Sequence, residues 1–137
     1  MTHCDGYRAA AVARAADVAG LGIDAEVHEE LPDGVLDLIS SPTERTRLAT
    51  LAASRPDVHW GRLLFSAKES VYKAWFPLTG RWLDFADAEL TVDREAARFT
   101  ARILVDGSRP GGPPLTSFEG RYRTVDGLLL TAVTVPA

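Results

Sequence analysis

The sequence has one cysteine, no long apolar run and no cluster of basic residues, and each absence excludes a class of protein. Cys4 alone cannot form an intrachain disulfide. No apolar stretch reaches the roughly 20 residues that a membrane-spanning helix needs. The fifteen Lys and Arg residues are scattered and the net charge is −4, which argues against a nucleic-acid-binding surface. The first residues also lack the basic start and apolar stretch of a signal peptide, so we expect a cytoplasmic protein.

Familiar catalytic motifs are absent as well. The chain has no glycine-rich phosphate loop of Walker type, no paired Cys or His at zinc spacing and no Gly-x-Ser-x-Gly nucleophile elbow. The composition, 46% hydrophobic and 25% charged, is ordinary for a globular protein, and 137 residues suffice for one domain with a buried core. We therefore predict a single domain over residues 1–137, in which any phosphate is bound by local contacts.

Hydrophobic periodicity predicts an α+β fold, in which an antiparallel sheet packs against one long helix and shorter helices. Ser41-Pro42-Thr43-Glu44 has the form of a capping box at a helix start. A long helix that Asp57 can cap then ends near Pro77-Leu78-Thr79-Gly80. A short turn joins the first two strands. The predicted elements are strands 7–15 and 21–28, helices 31–40 and 41–54, the long helix, and strands 87–92, 98–105, 116–124 and 128–135.

The long helix carries charged residues on a face that is also partly apolar, and we expect both faces of this helix to be covered. One face is an apolar core stripe, and the opposite face places Glu69 and Lys73, an i, i+4 pair, beside Phe65 and Tyr72. A carboxylate and an ammonium in a half-buried wall fit a functional site, and they fit a satisfied structural ion pair equally well. This helix alone leaves both interpretations open.

The strand at 21–28 supplies two more acids. Asp24 and Glu26 point to the same side with Cα atoms roughly 6.5 to 7 Å apart, close enough to share a cation, although a solvated surface is the commoner outcome for such a pair. Magnesium wants about six oxygen ligands, so Glu69 fits as a third acid. Three carboxylates with a diphosphate would need nearby cations, for which Lys73 is placed, with Lys68 and His3 as further candidates.

Two segments together resemble a known family. Gly22-Ile23-Asp24-Ala25-Glu26 is followed about forty residues later by Phe65-Ser66-Ala67-Lys68-Glu69-Ser70-Val71-Tyr72-Lys73. In this order and separation they resemble the paired motifs of the Sfp-type and EntD-like 4'-phosphopantetheinyl transferases. Thr2-His3-Cys4 and Trp82-Leu83-Asp84-Phe85 extend the resemblance over most of the chain.

The resemblance implies a reaction and a set of roles. The family transfers phosphopantetheine from CoA to a serine of an acyl or peptidyl carrier protein, with Mg²⁺ as cofactor. It implies Asp24, Glu26 and Glu69 as metal ligands, Lys73 as the lysine that contacts phosphate, and His3 near the CoA 3'-phosphate. Glu69 and Lys73 are then the catalytic pair, and Lys68 is a further candidate for CoA contact.

The front of the chain departs from the family pattern. Sfp-type enzymes resemble two fused halves with the active site between them, and this chain begins almost at the histidine motif. The resemblance therefore implies that nearly the whole N-terminal half is missing, along with basic CoA contacts. An apolar surface exposed by that loss would favour a homo-oligomer. The alternative to an active transferase is a catalytically incomplete remnant that binds a carrier protein or self-associates.

Overall fold

A computed structural model describes residues 1–137 and confirms the α+β class. The fold has seven strands, three α-helices and one short 3-10 helix at Phe85–Asp87. The strands and α-helices are β1 (Thr2–Cys4), β2 (Tyr7–Ala9), β3 (Val18–Val27), α1 (Val35–Ile39), α2 (Pro42–Ser54), α3 (Trp60–Thr79), β4 (Ala88–Asp93), β5 (Arg98–Ile103), β6 (Ser117–Val125) and β7 (Leu128–Pro136).

Five strands form one antiparallel sheet in the order β3-β7-β6-β5-β4, so β3 lies at an edge. Helix α3 packs across this sheet, mainly on β3 and β7. The small β1-β2 hairpin sits beside β3, where the hydroxyl of Thr2 accepts a hydrogen bond from the Ala25 amide at 3.0 Å. This layering places the long helix directly over the edge strand that carries the two acids.

The predicted core stripe of α3 is confirmed. Its residues recur at helical spacing and are buried against Phe99, Phe118, Leu129 and Val133 of the sheet, which covers the apolar side of the helix. None of the helices is both long and apolar enough to span a membrane. The buried stripe comprises Trp60, Leu63, Leu64, Ala67, Val71, Ala74 and Trp75.

The prediction of a strand over residues 7–15 is wrong beyond Ala9. Tyr7–Ala9 pairs with β1, and residues 10–15 form no strand and are exposed. The alanine-rich segment has no polar and apolar alternation that would fix one face to a core. The predicted pairing with the next strand is also absent, because β3 pairs with β7 from the far end of the chain.

The helices before α3 fit the prediction in part. Helix α1 is shorter than the predicted 31–40, because Gly34 precedes it at a φ of 83° and ends the loop there. The capping box of α2 is confirmed: the Ser41 hydroxyl accepts from the Glu44 amide at 3.1 Å, and the Glu44 carboxylate accepts from the Ser41 amide at 2.9 Å.

The start of α3 differs from the prediction. His59 is its N-cap residue, and the Asp57 carboxylate instead pairs with Arg55 at 3.1 Å. The imidazole of His28 accepts a hydrogen bond from the His59 amide at 3.0 Å. The His28 side chain, next to the end of β3, therefore accepts a hydrogen bond at the start of α3, where the sequence predicted Asp57 as the capping residue.

Candidate active site

The polar face of β3 lies against α3. Gly22, Asp24 and Glu26 point toward the helix, whereas Leu21 and Ile23 point away from it. In a simple amphipathic edge strand the apolar face would meet the core, whereas in β3 the polar face meets α3. Its acids enter the interface with α3 as a result.

Gly22 makes this approach possible. A Cβ atom at this position would lie 2.0 Å from the carbonyl oxygen of Ser70 and 3.0 Å from the amide nitrogen of Ala74. Both contacts are with helix backbone, which cannot rotate away as a side chain can. Only glycine allows β3 and α3 to meet at the distance that brings Asp24 beside Lys73.

Lys73 is bound to β3 at two points. Its ammonium donates to the Asp24 carboxylate at 3.0 Å and to the Ile23 carbonyl oxygen at 2.9 Å. The Asp24 side chain is almost wholly buried, and its second carboxylate oxygen, Oδ2, is buried without a hydrogen-bond partner. A buried, unpaired carboxylate oxygen is costly, so this atom is available to a cation.

Glu26 lies next to Asp24 and meets a different cation. Arg62 of α3 donates to its carboxylate at 3.4 Å. Burial raises the pKa of Glu26 to about 7, the neighbouring Asp24 carboxylate adds to the rise, and Arg62 opposes it. Each acid of β3 therefore lies beside one cation from the helix, and the nearby Asp24 favours the protonated form of Glu26.

Glu69 belongs to the same electrostatic neighbourhood. Burial raises the pKa of its carboxyl, the charge of Asp24 adds to the rise, and Lys73 opposes it. No ion pair joins Glu69 to Lys73, because Lys73 is held by Asp24. The structural pair that the helix spacing allowed is thus not formed, and Glu69 retains a half-buried carboxylate near the acids of β3.

These residues have a donor set suited to a hard divalent cation. The Asp24 oxygen lacks a partner, and burial together with the charge of Asp24 raises the carboxyl pKa values of Glu26 and Glu69, a rise that a bound cation would oppose. The three carboxylates do not converge on one point, and no group of three acidic, His or Cys side chains is arranged to hold a metal ion. The residues fit the chemistry of a metal site, and their side chains would have to turn to close it.

The β1-β2 hairpin borders the acids. Burial raises the pKa of the Cys4 thiol, and the charges of Glu26 and Asp24 raise it further, which places Cys4 near that pair. His3 is exposed, pairs with Arg8 across the hairpin and lines an open cavity of about 520 Å³ with it. Lys73 lines a different groove, of about 400 Å³, together with Tyr72 and residues of β3. His3 and Lys73 therefore line separate depressions.

Lys68 lies in another part of the fold. Its side chain is buried, and its ammonium donates to the Glu44 carboxylate at 3.0 Å and to two backbone carbonyl oxygens at 2.7 Å. The predicted contact with CoA has no support from this placement. Lys68 lies about 100° around α3 from Glu69. Its side chain therefore meets α1, α2 and the 3-10 helix instead of β3.

Arg62 is the site residue that sequence reasoning missed. Besides Glu26, it donates to the carbonyl oxygens of Glu29 at 3.1 Å and Glu30 at 2.9 Å, so it fixes the end of β3. Its position seven residues before Glu69 puts both on one side of the helix, two turns apart. That spacing was the available signal for an arginine on the charged face.

Known proteins match this chain over the same elements. A family model described as the 4'-phosphopantetheinyl transferase superfamily matches residues 20–110, which include α3 and the part of β3 from Gly20 onward. The chain belongs to the 4'-phosphopantetheinyl transferase superfamily. It is 64% identical over 137 residues to the 4'-phosphopantetheinyl transferase Svp of Streptomyces mobaraensis, covering 100% of this chain and 56% of that protein.

Two further superfamily members are similar throughout the chain. The 4'-phosphopantetheinyl transferase PptT of Mycobacterium tuberculosis is 51% identical over 140 residues, which cover 98% of this chain and 60% of PptT. The 4'-phosphopantetheinyl transferase Npt of Nocardia iowensis is 49% identical over 141 residues, covering 97% of this chain and 62% of Npt. The chain thus spans a little over half the length of these relatives.

Proposed function

We propose that this chain carries the acid and lysine side of a 4'-phosphopantetheinyl transferase site. The substrate is CoA, and the acceptor is a serine of an acyl or peptidyl carrier protein. The observation that carries the proposal is the buried Asp24 carboxylate, which has one oxygen on Lys73, one without a partner, and the half-buried Glu26 and Glu69 nearby. Members of the same superfamily are named for this activity.

The proposed reaction is a phosphoryl-group displacement. The serine oxygen forms a bond to the phosphorus that carries pantetheine, the bond to the adenosine side of the diphosphate breaks, and adenosine 3',5'-bisphosphate leaves. Asp24, Glu26 and Glu69 would hold Mg²⁺, which when bound offsets charge on the diphosphate oxygens. The raised carboxyl pKa of Glu69 suits it to accept the serine proton.

Lys73 is proposed to stabilise the leaving phosphate. Its side chain is about one third exposed beside an open groove, and its ammonium uses two of its three N–H donors on β3, so the third can donate to a phosphate oxygen of the leaving group. In this proposal His3 contacts the 3'-phosphate from the hairpin, and Arg8, its cross-strand neighbour, lines the same cavity. Lys68 has no part in the reaction chemistry, because its three N–H groups are already used.

Intact-mass analysis tests the proposal. The chain is incubated with CoA, Mg²⁺ and an apo carrier protein, and we expect the carrier to gain one phosphopantetheine. Glu69→Gln keeps the size of the side chain but removes its charge, and should lower the rate about 100-fold or more. Glu119→Gln, an exposed carboxylate on β6, is the matched control and should transfer at the rate of the unchanged chain. Equal rates for Glu69→Gln and Glu119→Gln would refute the role of Glu69.

Self-association is a second candidate, and the outward face of the sheet favours it. Leu21 and Ile23 of β3 lie on that face with Leu130 and Ala132 of β7, all half-exposed. An apolar strip at a sheet edge is a common contact between chains. Sedimentation should show a mass that rises with concentration, and Ile23→Lys should return it to that of a monomer of 14.8 kDa. A monomer mass at all concentrations would exclude this candidate.

A further inference from the structure

The surroundings of Lys68 define a closed polar cluster. Its side chain is 3% exposed, and its ammonium donates to the Ile39 carbonyl oxygen at 2.7 Å, the Phe85 carbonyl oxygen at 2.7 Å and the Glu44 carboxylate at 3.0 Å. An ammonium has three N–H donors, so none remains for a ligand. Burial lowers the pKa of Lys68, and the hydrogen bond and charge of Glu44 oppose that change.

Glu44 completes the cluster. One of its carboxylate oxygens accepts from Lys68 and from the Ser41 amide at 2.9 Å, and the other accepts from the Leu90 amide at 2.9 Å. The side chain is 2% exposed. Together the two charged residues connect the end of α1, the start of α2, the middle of α3, the 3-10 helix and β4. Both charged side chains are almost wholly buried, so each depends on the other polar atoms of the junction for its hydrogen bonds.

The bond to Phe85 links the cluster to the neighbourhood of Glu69. Phe85 belongs to a segment, residues 81–88, that forms one side of a cavity of about 110 Å³, with Lys68, Glu69 and Tyr72 of α3 on the other side. The Phe85 ring stacks on Phe65 with centroids 5.9 Å apart, and Trp82 packs edge-on against Tyr72 at 5.0 Å. Lys68 precedes Glu69 in the chain, so it fastens this segment to the helix beside the proposed catalytic carboxylate.

We propose that Lys68 and Glu44 are positioning residues, which hold segment 81–88 against α3 and so shape the cavity beside Glu69, and that Lys68 does not contact CoA. The functional part of this proposal rests on the proposed transferase function. The structural part, that Lys68 and Glu44 hold segment 81–88 against α3, does not depend on any activity. The two parts are tested by separate measurements.

Amine labelling tests the closed state of Lys68. Lys68 and Lys73 are the two lysines of the chain, so the amine targets of an acylating reagent are these two and the N-terminal amine. We expect Lys73, which is 32% exposed, to react at least about tenfold faster than Lys68 in the folded protein, because Lys68 becomes accessible only by local opening. CoA with Mg²⁺ should protect Lys73 and leave the slow rate at Lys68 unchanged. Similar rates at both lysines, or protection of Lys68 by CoA in a chain where it reacts freely, would overturn the proposal.

Variants of both partners test the positioning role. Lys68→Met and Glu44→Gln each break the cluster, and Glu44 does not line the cavity beside Glu69. We expect both to speed amide hydrogen exchange across 81–88 and to lower the transfer rate per folded molecule about tenfold, with no additional loss in the double variant. Lys68→Arg, which keeps the charge and donors, should restore part of both. Arg55→Met removes an exposed ion pair and is the control, with exchange across 81–88 unchanged.

The outcomes separate this proposal from the proposed function. If Lys68→Met lowers transfer while Glu44→Gln changes neither transfer nor exchange, Lys68 acts by direct contact and the proposal is overturned. If the variants lower only the melting temperature and keep the transfer rate per folded molecule, the role is purely structural, and the positioning role is overturned. If the unchanged chain shows no transfer, the proposed function fails, while labelling and exchange still decide whether the cluster holds segment 81–88.

Discussion

Replacing Gly22 with alanine is expected to separate β3 from α3 and to abolish the arrangement of acids between them. The added Cβ would lie 2.0 Å from the Ser70 carbonyl oxygen, far inside contact distance, and the obstacle is helix backbone. Overpacking of this kind costs about 1–3 kcal/mol even where side chains can adjust, so we expect a loss at or above that range. Chemical denaturation followed by circular dichroism gives the free energy of unfolding.

The control for Gly22→Ala is Gly61→Ala. Gly61 lies in α3, and a Cβ atom added there would come no closer than 3.4 Å to Leu31, an ordinary contact. Alanine is favoured over glycine in a helix by up to about 1 kcal/mol, so this variant should be unchanged or more stable. Amide exchange should also rise along β3 in Gly22→Ala alone. An unchanged free energy of unfolding in Gly22→Ala would contradict the close approach of β3 and α3.

The local parts of this fold follow from the sequence because they depend on neighbours in the chain. The capping box at Ser41 and Glu44 and the apolar stripe of α3 are set by spacings of three and four residues, and both are present. The shared side of Asp24 and Glu26 follows in the same way from the period of two in a strand. These features need no knowledge of the remaining chain.

The pairing of the charges does not follow from the sequence, because tertiary contacts decide it. Helix spacing offers Glu69 as the partner of Lys73, but β3 brings Asp24 within 3.0 Å, and a buried carboxylate is the stronger acceptor. Lys68 finds Glu44, 24 residues earlier in the chain, by the packing of α2 on α3. The alanine-rich segment after Ala9 fails as a strand because no neighbour is available to pair with it.

Replacing Lys73 with methionine is expected to move two measurements in opposite directions. The Lys73 ammonium now neutralises one oxygen of Asp24, beside two further acids. Without this ammonium the net charge of the site becomes more negative, which strengthens the binding of a divalent cation. Because Lys73 is partly exposed and screened by solvent, we expect Mn²⁺ to bind only about tenfold more tightly, or by roughly 1.4 kcal/mol. Under the proposed function, transfer should fall about 100-fold or more, since the proposed contact of Lys73 with phosphate would be lost from the transition state.

The opposite signs distinguish a catalytic lysine from a structural one. If Lys73 served mainly to order the acids, its removal would leave Asp24 buried without a partner, and metal binding and transfer would both weaken. If it serves the phosphate, the metal site tightens while turnover is lost. Calorimetric titration with Mn²⁺ in the absence of CoA measures the first quantity, and intact mass of the carrier protein measures the second. Arg14→Met, which removes an exposed ion pair with Asp17, should change neither. Weaker Mn²⁺ binding in Lys73→Met would therefore assign Lys73 to the support of Asp24, and the phosphate contact would have to come from another cation.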